Sequence, residues 1–213
     1  MTFAPRFRRQ AAVVLIALAG SLALAGCQQN APIATEPTSQ GSTVSTSEFS
    51  TLDAAGVEQI RASKTARLDM SSGQLRKADV RATGDSAGPE INTSDSGKIA
   101  LTIVGPNGEI RGETDRIRLN TTSARTDFSE VTYFLTADSM DGFFSLVRDG
   151  VQLYGIDSGD AERWITSVSA DPTAKSDYSL TSGTDTGLGV NYDLRFDGAK
   201  KTQVIIVHVS PAA

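Results

Sequence analysis

Polar and apolar positions alternate most cleanly near the C-terminal end of the chain. LGVNYDLRF sets Val190, Tyr192, Leu194 and Phe196 on one side and Asn191, Asp193 and Arg195 on the other, the period of two that a half-buried strand requires. A DGAK turn leads from it to TQVIIVHVS, which is apolar on both faces from Val204 to Val207. That second strand is expected in the middle of a sheet, where both faces can be covered. Upstream, KIALTIVGPNGEIRGE reads as a hairpin, two apolar runs about a Gly-Pro-Asn-Gly turn. RIRLNTT and EVTYFLT follow as strands, the latter with Val131, Tyr133 and Leu135 on one face and Thr132 and Phe134 on the other. ARLDMSS, LRKADVRAT, QLYGI and DYSLT carry weaker strand patterns, and GDSAGPEINTSDSG reads as a polar, glycine-rich surface loop.

Three segments change period from two to 3.6 residues. TLDAAGVEQIRAS, residues 51–63, places Leu52, Gly56, Val57 and Ile60 along one face and brings Arg61 and Lys64 late, where the helix dipole favours cations. DSMDGFFSLVRDG, with Asp138 as its expected cap, repeats Met140, Phe143, Phe144, Val147 and Val151 at helical spacing. GDAERWITSVSA, capped by Asp160 and stopped by Pro172, turns Trp164, Ile165 and Val168 to one side. Runs of strands interrupted by two or three short helices predict an α+β fold, an antiparallel twisted sheet with the helices packed on one face.

The N-terminal end has a different character. MTFAPRFRRQ supplies Arg6, Arg8 and Arg9 with no acid, and AAVVLIALAGSLALAG then runs from Ala11 to Gly26. A basic start, a short apolar run and small residues before a cut site form the pattern of a secretory signal peptide. The run is shorter than the roughly 20 residues a spanning helix needs. Leu24, Ala25, Gly26 and Cys27 resemble the lipobox of bacterial lipoproteins. The resemblance covers residues 1 to 27. It implies cleavage between Gly26 and Cys27, a diacylglyceryl thioether on the Cys27 thiol, and acylation of the new amino group. The lone cysteine cannot pair within the chain, and an unpaired thiol in an exported protein needs an explanation, which lipidation supplies. The implied location is the extracytoplasmic face of the cell membrane, or the outer membrane in a cell that has two.

Residues 1–26 are thus expected as signal peptide, and residues 27–50 as the lipidated cysteine followed by a tether. QQNAPIATEPTSQGSTVSTSEFS is too polar to bury the surface that would offset chain entropy. Residues 51–213 suit one globular domain. The formal charge of −5 becomes about −8 once the three leader arginines leave, the wrong sign for gripping nucleic acid phosphates. The membrane is therefore a partner through the Cys27 acyl chains alone, two of which suffice for stable anchoring.

Candidate chemistry is sparse. His208, the only histidine, would need a nucleophile and an orienting acid to act as a base, and reads as a strand residue. One histidine and a lipidated cysteine exclude the common zinc ligand sets, so neither a metal nor another cofactor is expected. Asp157, Asp160, Glu162, Asp171, Asp177 and Asp185 follow no calcium-loop spacing. No Gly-x-Ser-x-Gly elbow or nucleotide loop appears, so no catalytic residue is assigned. The stripe Met140, Phe143, Phe144 and Val147, with Trp164, could line an apolar pocket or simply form core. The reading that follows is a non-catalytic, membrane-anchored binding or interaction domain, with an unidentified envelope protein or lipid as partner. A lipid or glycolipid carrier is the alternative, since TARLDMSS after a helix is similar to the start of mycobacterial-type lipid-binding lipoproteins. A carboxylate-dependent envelope hydrolase is the second.

Overall fold

The alternation read at the C-terminal end builds the centre of the fold. A computed structural model describes residues 48–82, 88–122 and 124–213, and Gly26, Cys27 and the rest of the leader and tether up to Ser47 lie outside them. The element order begins α1 (Ala54–Ser63), β1 (Thr65–Asp69), β2 (Leu75–Arg76), β3 (Glu90–Asn92), β4 (Ile99–Val104), β5 (Glu109–Thr114), β6 (Arg116–Asn120), β7 (Asp127–Phe128) and β8 (Glu130–Thr136). It continues α2 (Met140–Tyr154), α3 (Ser158–Ala170), β9 (Lys175–Ser179), β10 (Leu188–Asp197) and β11 (Thr202–Pro211). The fold class is α+β, as the sequence predicts.

A six-stranded antiparallel sheet runs β3-β6-β8-β11-β10-β9. β11 lies inside it, paired with β10 on one side and β8 on the other, as its two-faced apolar run requires. The registers Tyr192↔Val207, Val207↔Tyr133 and Tyr133↔Ile117 carry one buried row across four strands. The second sheet, β1-β4-β5, includes the expected β4–β5 hairpin. Its β1–β4 pair is parallel, a departure from the all-antiparallel expectation that follows from the crossover through β2 and β3. Only Asp115 separates β5 from β6, so one run of chain passes from the second sheet into the first. Thr114 holds that corner, accepting the Arg116 and Phe134 amides at 3.1 Å each.

Both the small sheet and the helices cover the same face of the large one. A Cβ on Gly112 of β5 would stand 2.7 Å from the Tyr133 ring of β8, so the two sheets meet closely there. Beside them, α2 and α3 lay Phe143 and Trp164 against Phe196 of β10, with ring centroids 6.4 and 6.3 Å away. The opposite face of the large sheet carries half-buried and exposed residues, including Phe134, Ile206, His208, Asp193 and Arg195.

Several local expectations are corrected. QLYGI is not a strand. Gln152 to Tyr154 complete α2, because Phe143, Val147, Gly150 and Tyr154 hold a helical stripe, and Gly155 ends the helix at φ 74°. Ser139 rather than Asp138 caps α2, accepting the Gly142 amide at 3.1 Å. Asp157 rather than Asp160 caps α3, accepting the Asp160 amide at 2.7 Å. The polar GDSAGPEINTSDSG stretch contains β3, whose Ile91 is fully buried against Ile117. LRKADVRAT yields only the two residues of β2, paired with β7.

Candidate functional site

The apolar stripe that could have lined a pocket packs into the core. Phe143, Phe144, Val147 and Trp164 are buried, and Met140 is partly buried against them. Phe143 and Phe144 both meet the Trp164 ring edge-on, at 5.7 and 6.3 Å, and the indole N–H donates to Ser176 Oγ at 3.0 Å. These contacts spend the stripe on joining α2, α3 and the sheet.

The acids singled out by the sequence mostly serve local structure. Glu162 takes a two-pronged pair from Arg148 at 2.7 and 2.9 Å. Asp160 meets Arg163 and accepts from Thr181 Oγ1, Asp171 accepts the Thr173 amide and hydroxyl, and Asp177 stands 3.7 Å from Arg195. Asp185 crowds the space beside Gly155. Among the described residues, no three His, Cys, Asp or Glu side chains come together as a metal cluster would need.

His208 sits on the open face of the large sheet between two carboxylates. Its Nδ1 is 3.1 Å from Glu130 Oε1 on β8 and its Nε2 is 3.5 Å from Asp193 Oδ2 on β10. Glu130 Oε1 also accepts from Asn120 and Thr132, each at 2.7 Å. Burial works to raise the Glu130 carboxyl, but the hydrogen bonds from Thr132, His208 and Asn120 outweigh it and hold the group below its usual range. Nδ1 faces the Glu130 carboxylate, whereas Nε2, although near Asp193, is buried and makes no hydrogen bond among the described residues. The arrangement ties three strands together.

Grooves indent the described surface beside α1 and beside α2. One of about 280 Å³ lies between α1 and the free edge of β1, with Phe49, Ile60 and Arg67 in its walls. Its Phe49 ring carries the Arg67 guanidinium at 5.4 Å, and the Ser50 amide already donates to the Arg67 carbonyl.

The other groove, of about 260 Å³, opens between β5 and α2, where Leu135, Leu146 and Leu153 form apolar wall and Tyr154 and Tyr192 reach in from the core. Leu153 is 58% exposed, more than any other large apolar side chain described. Tyr192 is 1% exposed. Tyr133, buried beneath Gly112, has a hydroxyl without a hydrogen-bond partner among the described residues. Buried phenols ordinarily find a partner. Burial drives both hydroxyls well above the usual phenol range, and neighbouring phenols add to the shift. Tyr154 differs, because its hydroxyl both donates to and accepts from the Arg111 backbone.

The sequence reading did not single out this tyrosine group. Its available signal was a pair of glycines inside regular elements, Gly112 in a strand and Gly150 in a helix, since glycine there marks a close approach. A Cβ on Gly150 would lie 2.6 Å from the Tyr192 ring.

No protein-family model matches the chain, and no curated protein or solved structure matches it.

Proposed function

We propose that the chain is a lipid-anchored extracytoplasmic binding domain, held to the membrane through Cys27 and acting by binding rather than catalysis. The observation that carries the binding role is the groove beside α2, where the largely exposed Leu153 and the partly buried Leu146 stand over the rings of Tyr154 and Tyr192. The lipobox-like LAGC at residues 24–27, behind a basic and apolar leader, supports the address. The Glu130 carboxylate against His208 Nδ1 supports a structural role for the one side chain most suited to acid–base work. Among the described residues no helix is long and apolar enough to cross a membrane.

Membrane fractionation of cells expressing Cys27→Ala tests the reading. The variant is expected to leave the membrane fraction or to accumulate as uncleaved precursor. Normal processing with unchanged membrane association overturns the anchor.

A further inference from the structure

Opposite charges close the two ends of one row on the open face of the large sheet. Arg116 of β6 stands beside Phe134 of β8, its guanidinium 5.6 Å from the ring centroid. The registers carry the row on through Ile206 of β11 to Asp193 of β10. The Arg116 side chain is 36% exposed and meets Glu90 only at 3.8 Å, too long for a hydrogen bond. Asp193 is fixed by the Ser179 hydroxyl and by Arg195 at 3.3 Å. Phe134, Val204 and Ile206 remain half-buried on this face, because the helices and the small sheet cover the other one. A row with a cation at one end, an anion at the other and an apolar pair between them is complementary to itself when turned end for end.

We propose that this face is an interface between two copies of the chain, stacked sheet on sheet about a twofold axis that runs along the strands between β8 and β11. β6 of one copy then lies over β10 of the other. Arg116 of each copy faces Asp193 of the other, and Phe134 of each faces Ile206 of the other. The next row, Arg118, Thr132, His208 and Asn191, sets Arg118 opposite Asn191 and Thr132 opposite His208. Glu130 falls opposite Ser210, and Glu90 opposite the chain just past β9. Arg195 and Asp177, 3.7 Å apart, fall opposite the ends of β6 and β3, and Lys175 and Asp197 lie beyond the overlap. No like charges are thus brought face to face. A membrane or nucleic acid, being of one sign, would meet Asp193 and Glu130 as well as the arginines, whereas a second copy offers each end of the row its complement. Six strands at about 4.8 Å and six residue pairs at about 3.4 Å give a patch of roughly 24 by 20 Å, which suits an exchangeable dimer rather than a permanent one. The inference goes beyond the binding reading and does not depend on the anchor.

Two differently tagged full-length copies, co-expressed and captured through one tag from a non-ionic detergent extract, test it. Wild-type copies are expected to capture one another. Arg116→Glu paired with itself, and Asp193→Lys paired with itself, are each expected to lose at least about tenfold of that capture, because each such dimer holds two like-charge contacts. Arg116→Glu paired with Asp193→Lys is expected to recover most of it, since one contact of swapped sign and one native contact replace two repulsions. Ile206→Glu, a single change at the apolar centre, gives a second loss should a charge variant fail to accumulate. Absence of capture between wild-type copies overturns the interface. So does equal capture in every pairing, as from copies sharing a micelle, and so does a mixed pairing no better than either variant with itself. Capture is read from whichever fraction holds the chain, so its failure is distinguishable from failure of the anchor.

Discussion

The Tyr154 hydroxyl donates to the Arg111 carbonyl at 3.0 Å and accepts the Arg111 amide at 3.2 Å. One helix side chain thereby occupies both outward backbone groups of an edge-strand residue, as a neighbouring strand would. Because Tyr154 is 2% exposed, removing its hydroxyl leaves that pair poorly solvated. Tyr154→Phe is expected to lower stability by about 1–3 kcal/mol, read by urea denaturation, and to speed hydrogen exchange at the Arg111 amide. Exchange there at the wild-type rate would show that the bond does not protect the edge.

Three of the four tyrosines, at positions 133, 154 and 192, have phenols raised above the usual value of 10.0, with burial the largest cause for each. For an acid whose folded value is raised, stability is fully present below the unfolded value and is lost as pH climbs past it. Unfolding in alkali is therefore expected to become easier above about pH 10. While the chain stays folded at about pH 11, phenolate absorbance near 295 nm should fall well short of its unfolded amplitude. A larger folded signal would mean that the tyrosine group is hydrated.

Gly150 lies inside α2, where alanine would ordinarily be favoured by about 1 kcal/mol. The Tyr192 ring stands 2.6 Å and the Ile156 side chain 2.9 Å from where its Cβ would go. Gly150→Ala is expected to destabilise by about 1–3 kcal/mol, because overpacking against a buried ring outweighs the gain in propensity. A stabilised variant in thermal unfolding would show that Tyr192 can move aside.

The sequence was legible where one signal dominated. Val190, Tyr192, Leu194 and Phe196 alternate without interruption, and all four are buried. The β4–β5 hairpin announced itself through its Gly-Pro-Asn-Gly turn. β3 was hidden because a three-residue strand has room for one inward side chain, Ile91, and its surroundings are all polar. The end of α2 looked like a strand because Leu153 is exposed and breaks the apolar stripe that Tyr154 completes. The groove was not legible at all. It joins Lys98 before β4, Asp149 of α2 and Tyr192 of β10, and no local pattern relates positions brought together only by tertiary packing.

Glu130 links three neighbours on the open face, Asn120, Thr132 and His208. Its folded value lies below the usual 4.5. For a carboxylate so depressed, the contribution to stability is complete above the unfolded value and is lost as pH falls through the folded one. Glu130→Gln keeps an oxygen for Thr132 and Asn120 but removes the charge facing His208. The variant is expected to be about 1 kcal/mol less stable at pH 7, as for loss of a charge-assisted hydrogen bond at a partly exposed site. The gap should close as pH falls below the usual carboxyl value and through the lower folded one, where the wild-type carboxylate also becomes neutral. Urea denaturation of both proteins across that range checks it, and parallel curves would remove Glu130 from the acid sensitivity of the fold.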